Sequence, residues 1–237
     1  MELLLYTTIV IVCFVQSIFG VGVLLLGTPT LLILGYSFVE TLSHLLPLSL
    51  LINCLQIYKS GKIIDWNFIK LLLFFSIPST GICLYLSLYF SFDISLILGV
   101  FMVILALKNT TQKIEKVFSF LLKKDIAVFT FLGVIHGFTN LGGSILSMKI
   151  FILDYDKDMK RATMATAYFL LAIIQLSVIF LTQQRFKFDP TFLLLGIATF
   201  IVTEQFVFKN LSLKLFDKLF AYIISIFGLS LIIKSVI

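Results

Sequence analysis

Charged residues are scarce in this chain. Asp, Glu, Lys and Arg make up 13% of its 237 residues, whereas hydrophobic residues make up 60%. A soluble domain would carry about 25% charged residues, so the composition excludes an ordinary soluble domain. The net charge of +6 would suggest nucleic-acid binding in a soluble protein. Here we attribute it to lysines retained in cytoplasmic loops, and we expect no nucleic-acid partner.

The residue types that bind metals or perform covalent catalysis are also few and scattered. The chain has two histidines and three cysteines, with no CxxC spacing and no metal-ligand pattern. Cys13, Cys54 and Cys83 lie in apolar runs, and we interpret them as buried, unpaired, small hydrophobic residues. No P-loop motif occurs, so direct use of ATP is not expected. We predict no cofactor, no metal site and no enzymatic activity.

Long apolar segments are abundant, and the mean hydropathy is +1.13. Runs of roughly 17–25 apolar residues, the length that crosses a bilayer, recur along the chain. We therefore predict an all-α integral membrane protein of the cell (cytoplasmic, inner) membrane that crosses it several times. The apolar blocks are 3–34, 41–58, 67–90, 92–107, 126–153, 162–182, 190–208 and 219–235.

The chain divides near its middle into two similar halves. Its longest polar interval, Lys108–Lys124, separates an N-terminal repeat (1–108) and a C-terminal repeat (125–237), with 109–124 as a basic cytoplasmic linker. The first apolar block of each half is interrupted, by GVGVLLLGTP at Gly20–Pro29 and by FTNLGGS at Phe138–Ser144. This common order predicts an internal duplication.

A shift of 120 residues aligns the two halves. It places Gly20-Val21-Gly22 on Asn140-Leu141-Gly142, and it brings Asp65 within a few positions of Asp189. The broken segment, a polar-spotted helix, a loop with Asp and two further helices then follow in the same order in both halves.

The loop charges distinguish two ways in which the broken segments could run. If each segment crosses fully, eight crossings place ten Lys and Arg residues on one side and six on the other. If each segment enters and returns, three crossings per half place thirteen on one side, with only Arg185, Lys187 and Lys234 on the other. The positive-inside bias favours the second arrangement. An odd number of crossings per half predicts two inverted repeats, each with a broken or re-entrant hairpin and three transmembrane helices.

The two breaks are the predicted substrate site. Irregular backbone within a membrane must be buried in protein or line a wet cavity, and a half-helix that starts after a break presents N–H groups that attract anions. We interpret Thr28-Pro29 as an N-cap followed by proline at the first helical position, and Gly143-Ser144 as the start of the second return arm. The glycines would let an anion approach the backbone; the alternative is that they permit close helix packing.

These stretches resemble the sulfite exporter TauE/SafE family, also called toluene-sulfonate uptake permeases. The resemblance covers nearly the whole chain in layout and is carried by FVQSIFGVGVLLLGTPTLLILG, by SGKIIDW (Ser60–Trp66) and by GVIHGFTNLGGSILSMKIFIL. It implies passive or proton-coupled movement of a small sulfur oxyanion or organosulfonate, such as sulfite, thiosulfate, sulfoacetate or taurine, across the cytoplasmic membrane.

His136 and Asn140 lie one helical turn apart before the second break, and Gln16 and Gly20 take the same places in the first half. We expect His136 and Gln16 to donate to a ligand oxygen in a central cavity, with helix–helix hydrogen bonding as the alternative. The predicted substrate-binding residues are Gln16, Gly20, Gly22, Thr28, His136, Asn140, Gly142, Gly143, Ser144 and Lys149. The predicted pathway residues are His44, Asn53, Gln56, Thr163, Thr166 and Gln175.

Two charged residues within apolar blocks are given specific roles. Lys149 would compensate an anionic substrate, but it could equally reach the membrane interface or pair with Asp154. Glu204 is the acid well inside an apolar block and is the candidate for proton coupling. Its alternative is a surface ion pair beside Lys209 near the helix end.

Other protein classes fit less well. Ser144 and His136 evoke an intramembrane serine protease, but the break between them does not fix the geometry that a nucleophile needs. The breaks lack the acidic rings of a cation channel. We therefore predict a secondary transporter for a small anion, working by alternating access in contact with lipid. The alternative is a non-transporting membrane subunit or scaffold. Oligomeric state is left open, with a homodimer as one option.

Overall fold

The computed structural model describes residues 2–60, 63–90 and 124–223, and within these ranges it is helical without β-strands. Five helices in the described ranges are long and apolar enough to cross a membrane. The predicted third crossing of the first half (92–107), the linker 109–124 apart from Lys124, and most of the last block (219–235) lie outside the described residues. So do several cations of the charge comparison: Lys62, Lys108, Lys113, Lys116, Lys123 and Lys234.

The first half begins with a helical hairpin of one long arm and one short arm, and it continues with two long helices. Its elements are α1 (Glu2–Phe19), α2 (Val23–Ile33), α3 (Phe38–Ser60), and a continuous helical stretch formed by α4 (Trp66–Leu71), a π-helical turn (Leu72–Ser76) and α5 (Ile77–Tyr89). Asp65 begins α4 because its carboxylate accepts hydrogen bonds from the N–H groups of Asn67 and Phe68.

The second half repeats this order. Its elements are α6 (Asp125–Thr139), α7 (Gly143–Phe151), α8 (Lys157–Leu181), α9 (Thr191–Phe206), a 3₁₀ turn (Phe208–Asn210) and a helix, α10, over 213–223. α8 packs against α3 and α5, and α1 packs against α9, so helices of the two halves share one core. Cys13 and Cys83 are buried in the described chain, as predicted. The prediction for Cys54 is wrong, because it lies on the exposed side of α3.

The two breaks begin in the same way at the spacing of 120 residues. Gly20, directly after α1, has φ +75°, and Asn140, directly after α6, has φ +60°. Glycine reaches this left-handed region without a steric penalty, and asparagine tolerates it better than most residues. In both breaks the N–H of this residue donates 2.8 Å to the carbonyl four positions earlier, that of Gln16 or His136. A glycine, Gly22 or Gly142, then precedes the return helix.

The return helix of the first half starts earlier than the sequence suggested. α2 begins at Val23, so Pro29 lies inside it and Thr28 does not cap it. The prediction of an N-cap at Thr28 is therefore wrong. The chain already reverses at Gly20 and Gly22, and the apolar run directly after the turn forms a helix. This helix lacks one backbone hydrogen bond, because Pro29 has no N–H to donate. The predicted start of the second arm at Gly143 is confirmed.

The first hairpin begins and ends at one end of the helix bundle. The ring of Tyr6, near the start of α1, lies 5.4 Å from the ring of Phe192, and its hydroxyl donates to Asp189 at 3.0 Å. His44, near the start of α3, lies 5.5 Å from the same Phe192 ring and 5.8 Å from Tyr36. We call this the Asp189 end. The α1–α2 segment therefore runs inward and returns to the end where it started.

The second hairpin begins and ends at the opposite end. Lys149 near the end of α7 pairs with Asp125 at the start of α6, at 2.6 Å. Phe151 follows Lys149 and lies under the ammonium group of Lys160, which is near the start of α8. Arg161 comes next in α8, and we call this the Arg161 end. Because α3 runs from the Asp189 end to Ser60 beside Arg161, the two hairpins enter the bundle from opposite ends.

Glycines let the two arms of each hairpin pack closely. A Cβ atom on Gly22 would lie 2.6 Å from the backbone nitrogen of Gln16, and one on Gly142 would lie 2.5 Å from the carbonyl oxygen of Leu132 and from the Cβ of His136. These distances leave no room for a side chain. The contacts favour the packing interpretation for these two glycines.

Candidate functional site

Gln16 organises the first break. Its side-chain oxygen accepts a hydrogen bond of 3.0 Å from the N–H of Val23, the first residue of α2, and its amide nitrogen donates to Asn53 at 2.5 Å. The side chain is fully buried. Gln16 therefore fixes the start of the return helix, and the amide nitrogen also lies 3.4 Å from the carbonyl of Gly20, so both of its hydrogens have acceptors in the protein.

The predicted pathway residues of α3 complete this network. The amide of Gln56 donates to the carbonyls of Gln16 and Ser17 at 2.9 and 3.0 Å, which satisfies the last turn of α1. Asn53 donates to Ser49 at 3.2 Å. The sequence identified both residues as polar spots of α3, and the structure brings them to the first break.

Asn140 joins the second break to the first hairpin. Its amide donates to the hydroxyl of Thr28 in α2 at 2.6 Å, and its oxygen accepts from Gln175 in α8 at 3.2 Å. All three side chains are buried. The sequence indicated the three residues separately, and the structure places them in one hydrogen-bonded chain between the two halves.

Unpaired polar atoms surround His136 beside the second break. Within the described part of the chain neither ring nitrogen of His136 has a hydrogen-bond partner of ordinary geometry, nor do the hydroxyl of Tyr168 and the side-chain oxygen of Gln175. The ring of His136 lies 6.1 Å from that of Tyr168, and Gln175 lies beside it. We call His136, Tyr168 and Gln175 the His136 cluster. Buried polar groups left without partners mark places where water or a ligand binds.

The start of α7 faces the same cluster. A Cβ on Gly143 would fall 1.2 Å from the hydroxyl oxygen of Tyr168, so only glycine leaves room for that hydroxyl beside the helix N-terminus. The hydroxyl of Ser144 donates to the carbonyl of Leu141 at 2.7 Å. Ser144 is therefore not hydrogen-bonded to His136. Helix N-terminal N–H groups and a neutral phenol can both donate to an anion.

The other predicted residues lie outside these networks. His44 packs among aromatic rings at the Asp189 end. Thr163 accepts a hydrogen bond of 3.1 Å from the N–H of Asp65, and Thr166 donates to the carbonyl of Ala162 in its own helix. Lys149 pairs with Asp125, not with Asp154, and closes the mouth of the second hairpin.

A basic cavity of about 490 Å³ opens at the Arg161 end. At its base the guanidinium of Arg161 donates to Glu204 at 2.6 Å, and Lys59 lies 3.4 Å from the same carboxylate. Glu204 thus pairs across helices with Arg161 and Lys59. The residues that line the cavity are Lys59, Ser60, Lys157, Asp158, Arg161, Glu204, Phe208 and Lys209.

Arg161 and Tyr168 are site residues that the sequence pattern did not indicate. Arg161 stands in KDMKRAT and entered only the count of loop charges, and Tyr168 reads as an ordinary apolar residue of a long helix. Glu204 was the available signal for Arg161, because an acid within a membrane helix requires a partner. No sequence signal identified Tyr168, since its role depends on its contact with Gly143 across two helices.

The helices, the buried breaks and their polar networks define a multi-pass α-helical membrane protein. A family model described as sulfite exporter TauE/SafE matches residues 5–234, which is nearly the whole chain. The chain belongs to this family, whose members are membrane transporters of sulfur anions such as sulfite. No curated protein and no solved structure matches it.

Proposed function

We propose that this protein is a secondary transporter for a small sulfur oxyanion or organosulfonate and that it works by alternating access. The observation that carries the proposal is the pair of buried breaks, which two hairpins bring into the bundle from opposite ends. Family membership supports the anion class. The proposed location is the cytoplasmic membrane, and the positive-inside bias favours the Arg161 end as its cytoplasmic side.

The proposed substrate site lies at the second break and is built from neutral donors. His136 and Tyr168 would donate to the oxygen atoms of the anion beside the start of α7, and Gln175 would orient them. Neutral donors and a helix dipole can hold an anion without a buried full positive charge. Gln16 would serve the first break by holding the start of α2, and Asn140 with Thr28 would couple the two hairpins.

The proposed architecture is two inverted repeats, 1–108 and 125–237, joined by the linker 109–124. The left-handed backbone that begins both breaks, at Gly20 and at Asn140, supports this arrangement, as does the insertion of the hairpins from opposite ends. Rocking of one half against the other would then exchange access between the two sides of the membrane.

Glu204 is the proposed proton-coupling residue. It is buried in a membrane helix and shares its carboxylate between Arg161 and Lys59. A carboxylate held by such contacts can exchange a proton only when they loosen, which ties its protonation to movement of α8 against α9. Breaking the contact between Glu204 and Arg161 is therefore the event that would link proton movement to anion movement.

Uptake into proteoliposomes tests the proposed function. The panel is sulfite, thiosulfate, taurine, sulfoacetate and chloride, each with and without a pH gradient. Saturable uptake or exchange of a sulfur anion is expected. If none of these anions moves, the protein is instead a non-transporting subunit or scaffold.

Variants assign the residues in the same assay. His136→Ala should weaken the apparent affinity about tenfold, the effect of one lost hydrogen bond to a charged ligand. Gln16→Ala should weaken it as well, because the start of α2 loses the acceptor that holds the N–H of Val23. Ser177→Ala, which removes an exposed hydroxyl from α8, is the matched control. Glu204→Gln should remove the response to the pH gradient while exchange continues. Wild-type affinity in the first pair, or intact coupling in the last variant, would contradict the assignments.

A further inference from the structure

The basic cavity has the charge and size of an anion site, and its lining residues are not those of the proposed substrate site at the second break. Four of its lining residues are cationic (Lys59, Lys157, Arg161 and Lys209) and two are acidic (Asp158 and Glu204). Its volume is about 490 Å³. A small oxyanion with part of its hydration shell fits this space.

Arg161 lies at the base of the cavity and keeps one donor unused. Its side chain is 1% exposed, and its guanidinium carbon lies 3.3 Å from the centre of the Phe208 ring. One terminal nitrogen donates to Glu204 at 2.6 Å, while the other is 3.5 Å from the second carboxylate oxygen. Within the described ranges Nε has no hydrogen-bond partner. The fork of donors on Arg161 is therefore only partly satisfied.

Glu204 occupies the position that an external anion would take. Guanidinium groups bind carboxylates and the oxygen pairs of other oxyanions with the same paired geometry. A buried arginine requires a counter-charge, and Glu204 provides it when the cavity holds no anion. An arriving oxyanion that meets Arg161 can replace that counter-charge, because it presents the same pair of oxygen atoms.

We infer that the basic cavity binds a small oxyanion, with Arg161 as its binding residue and Glu204 as a built-in competitor for the same donors. Lys59 and Lys209, at the more exposed positions, attract the anion. The chemical class of the ligand rests on the proposed function, but the site itself rests on the cavity and its charges.

The position of Arg161 links this cavity to the first break. Its guanidinium lies 3.5 Å from the carbonyl of Ser17 in the last turn of α1. Its own carbonyl would lie 2.7 Å from a Cβ on Gly20. An anion bound to Arg161 is thus next to the tip of the first hairpin, at the cytoplasmic entrance of the proposed path.

Direct binding to the purified full-length chain tests the inference without requiring transport. The protein is kept in an uncharged detergent, and thermal unfolding is followed while sodium sulfite or sodium sulfate replaces sodium gluconate at constant ionic strength. The expected result is saturable stabilisation of the wild type. Glu204→Gln should bind roughly tenfold more tightly, because it removes a charge-assisted hydrogen bond that competes for Arg161.

A double variant separates loss of binding from loss of folding. Arg161→Gln combined with Glu204→Gln leaves neither charge unpaired, so it should unfold cooperatively and show no anion-dependent stabilisation. Lys187→Gln removes one cation outside the cavity and should bind like the wild type. Wild-type binding by the double variant, or no gain in Glu204→Gln, would overturn the inference.

Two further outcomes separate the cavity site from a lipid site and from the transport function. Stabilisation by phosphatidylglycerol but not by sulfite or sulfate would identify a lipid headgroup as the ligand and overturn the proposed site for a free anion. Arg161-dependent binding in a protein that transports nothing would contradict the proposed function and leave the cavity site standing. Transport without Arg161-dependent binding would contradict the cavity site and leave the proposed function standing.

Discussion

At the scale of single residues, two glycines set the spacing of the hairpin arms. Gly22 has φ 165°, which is extended backbone open to any residue, and Gly142 has φ −55°. Neither position requires glycine for its backbone conformation. The requirement comes from the opposing backbone, which a Cβ would approach within 2.6 Å at Gly22 and 2.5 Å at Gly142.

Gly22→Ala and Gly142→Ala should therefore each destabilise the protein. Overpacking against backbone atoms that cannot move aside costs about 1–3 kcal/mol, so both variants should unfold at a lower temperature than the wild type in detergent. Gly81→Ala is the matched control, because its Cβ would meet only the side chain of Ile174, at 3.2 Å. Wild-type stability in both break variants would mean that the hairpin arms can separate freely.

Single residues also show what the sequence could and could not predict. His136, Asn140 and Gln16 were identifiable because polar side chains next to a glycine-containing break are unusual in apolar segments. Arg161 and Tyr168 could not be identified, because their contacts depend on which helices pack against each other. The start of α2 was predicted too late in the chain because proline is common at the first helical position. In the structure the turn at Gly20 lets the helix start before Pro29.

At the scale of elements, an aspartate begins a helix at each end of the bundle, and a tyrosine from the opposite half holds it. Asp65 accepts hydrogen bonds from the N–H groups of Asn67 and Phe68 and from the hydroxyl of Tyr155. Asp189 accepts from Thr191 and from the hydroxyl of Tyr6. The approximate correspondence of the two aspartates was visible in the sequence. The tyrosines were not predicted, because they approach from the other half.

The Asp65 cap predicts a dependence of stability on pH. Partial burial opposes ionisation, but the hydrogen bonds from Tyr155, Phe68 and Asn67 outweigh it and hold the pKa of Asp65 below its usual 3.8. A lowered pKa gives stability that is complete above the unfolded value and is lost as the pH falls through the folded one. Between about pH 5 and pH 3 the unfolding temperature should therefore fall less in Asp65→Asn than in the wild type.

The control for this experiment is Asp154→Asn, which changes an exposed acid in the segment before α8. It should keep the wild-type dependence on pH. An equal fall in unfolding temperature for wild type and Asp65→Asn would show that the cap contributes nothing to acid sensitivity.

At the scale of the whole molecule, the contacts between helix ends agree with the charge pattern. Lys59 at the end of α3, Arg161 at the start of α8 and Glu204 at the end of α9 meet at one end of the bundle. Full crossing by both broken segments would put Lys59 and Arg161 on opposite sides of the membrane. The three crossings per half stay a prediction from the retention of basic residues on one side of the membrane. The polar network between the hairpins could not be predicted, because it requires the relative position of four helices.

Labelling of single cysteines tests this topology. With re-entrant hairpins, a cysteine at Ser37 (between α2 and α3) and one at Gln184 (between α8 and α9) should both react with an impermeant maleimide from outside the cell. Cysteines at Asp154 and Asn210 should react only after the membrane is opened, because they belong to the basic side. The native cysteines are first replaced by serine: Cys13, Cys54 and Cys83. With eight full crossings Ser37 would instead lie on the same side as Asp154 and Asn210, opposite to Gln184. Cysteines at Ser37 and Gln184 that react from different sides would therefore exclude the re-entrant hairpins and the inverted repeat that depends on them.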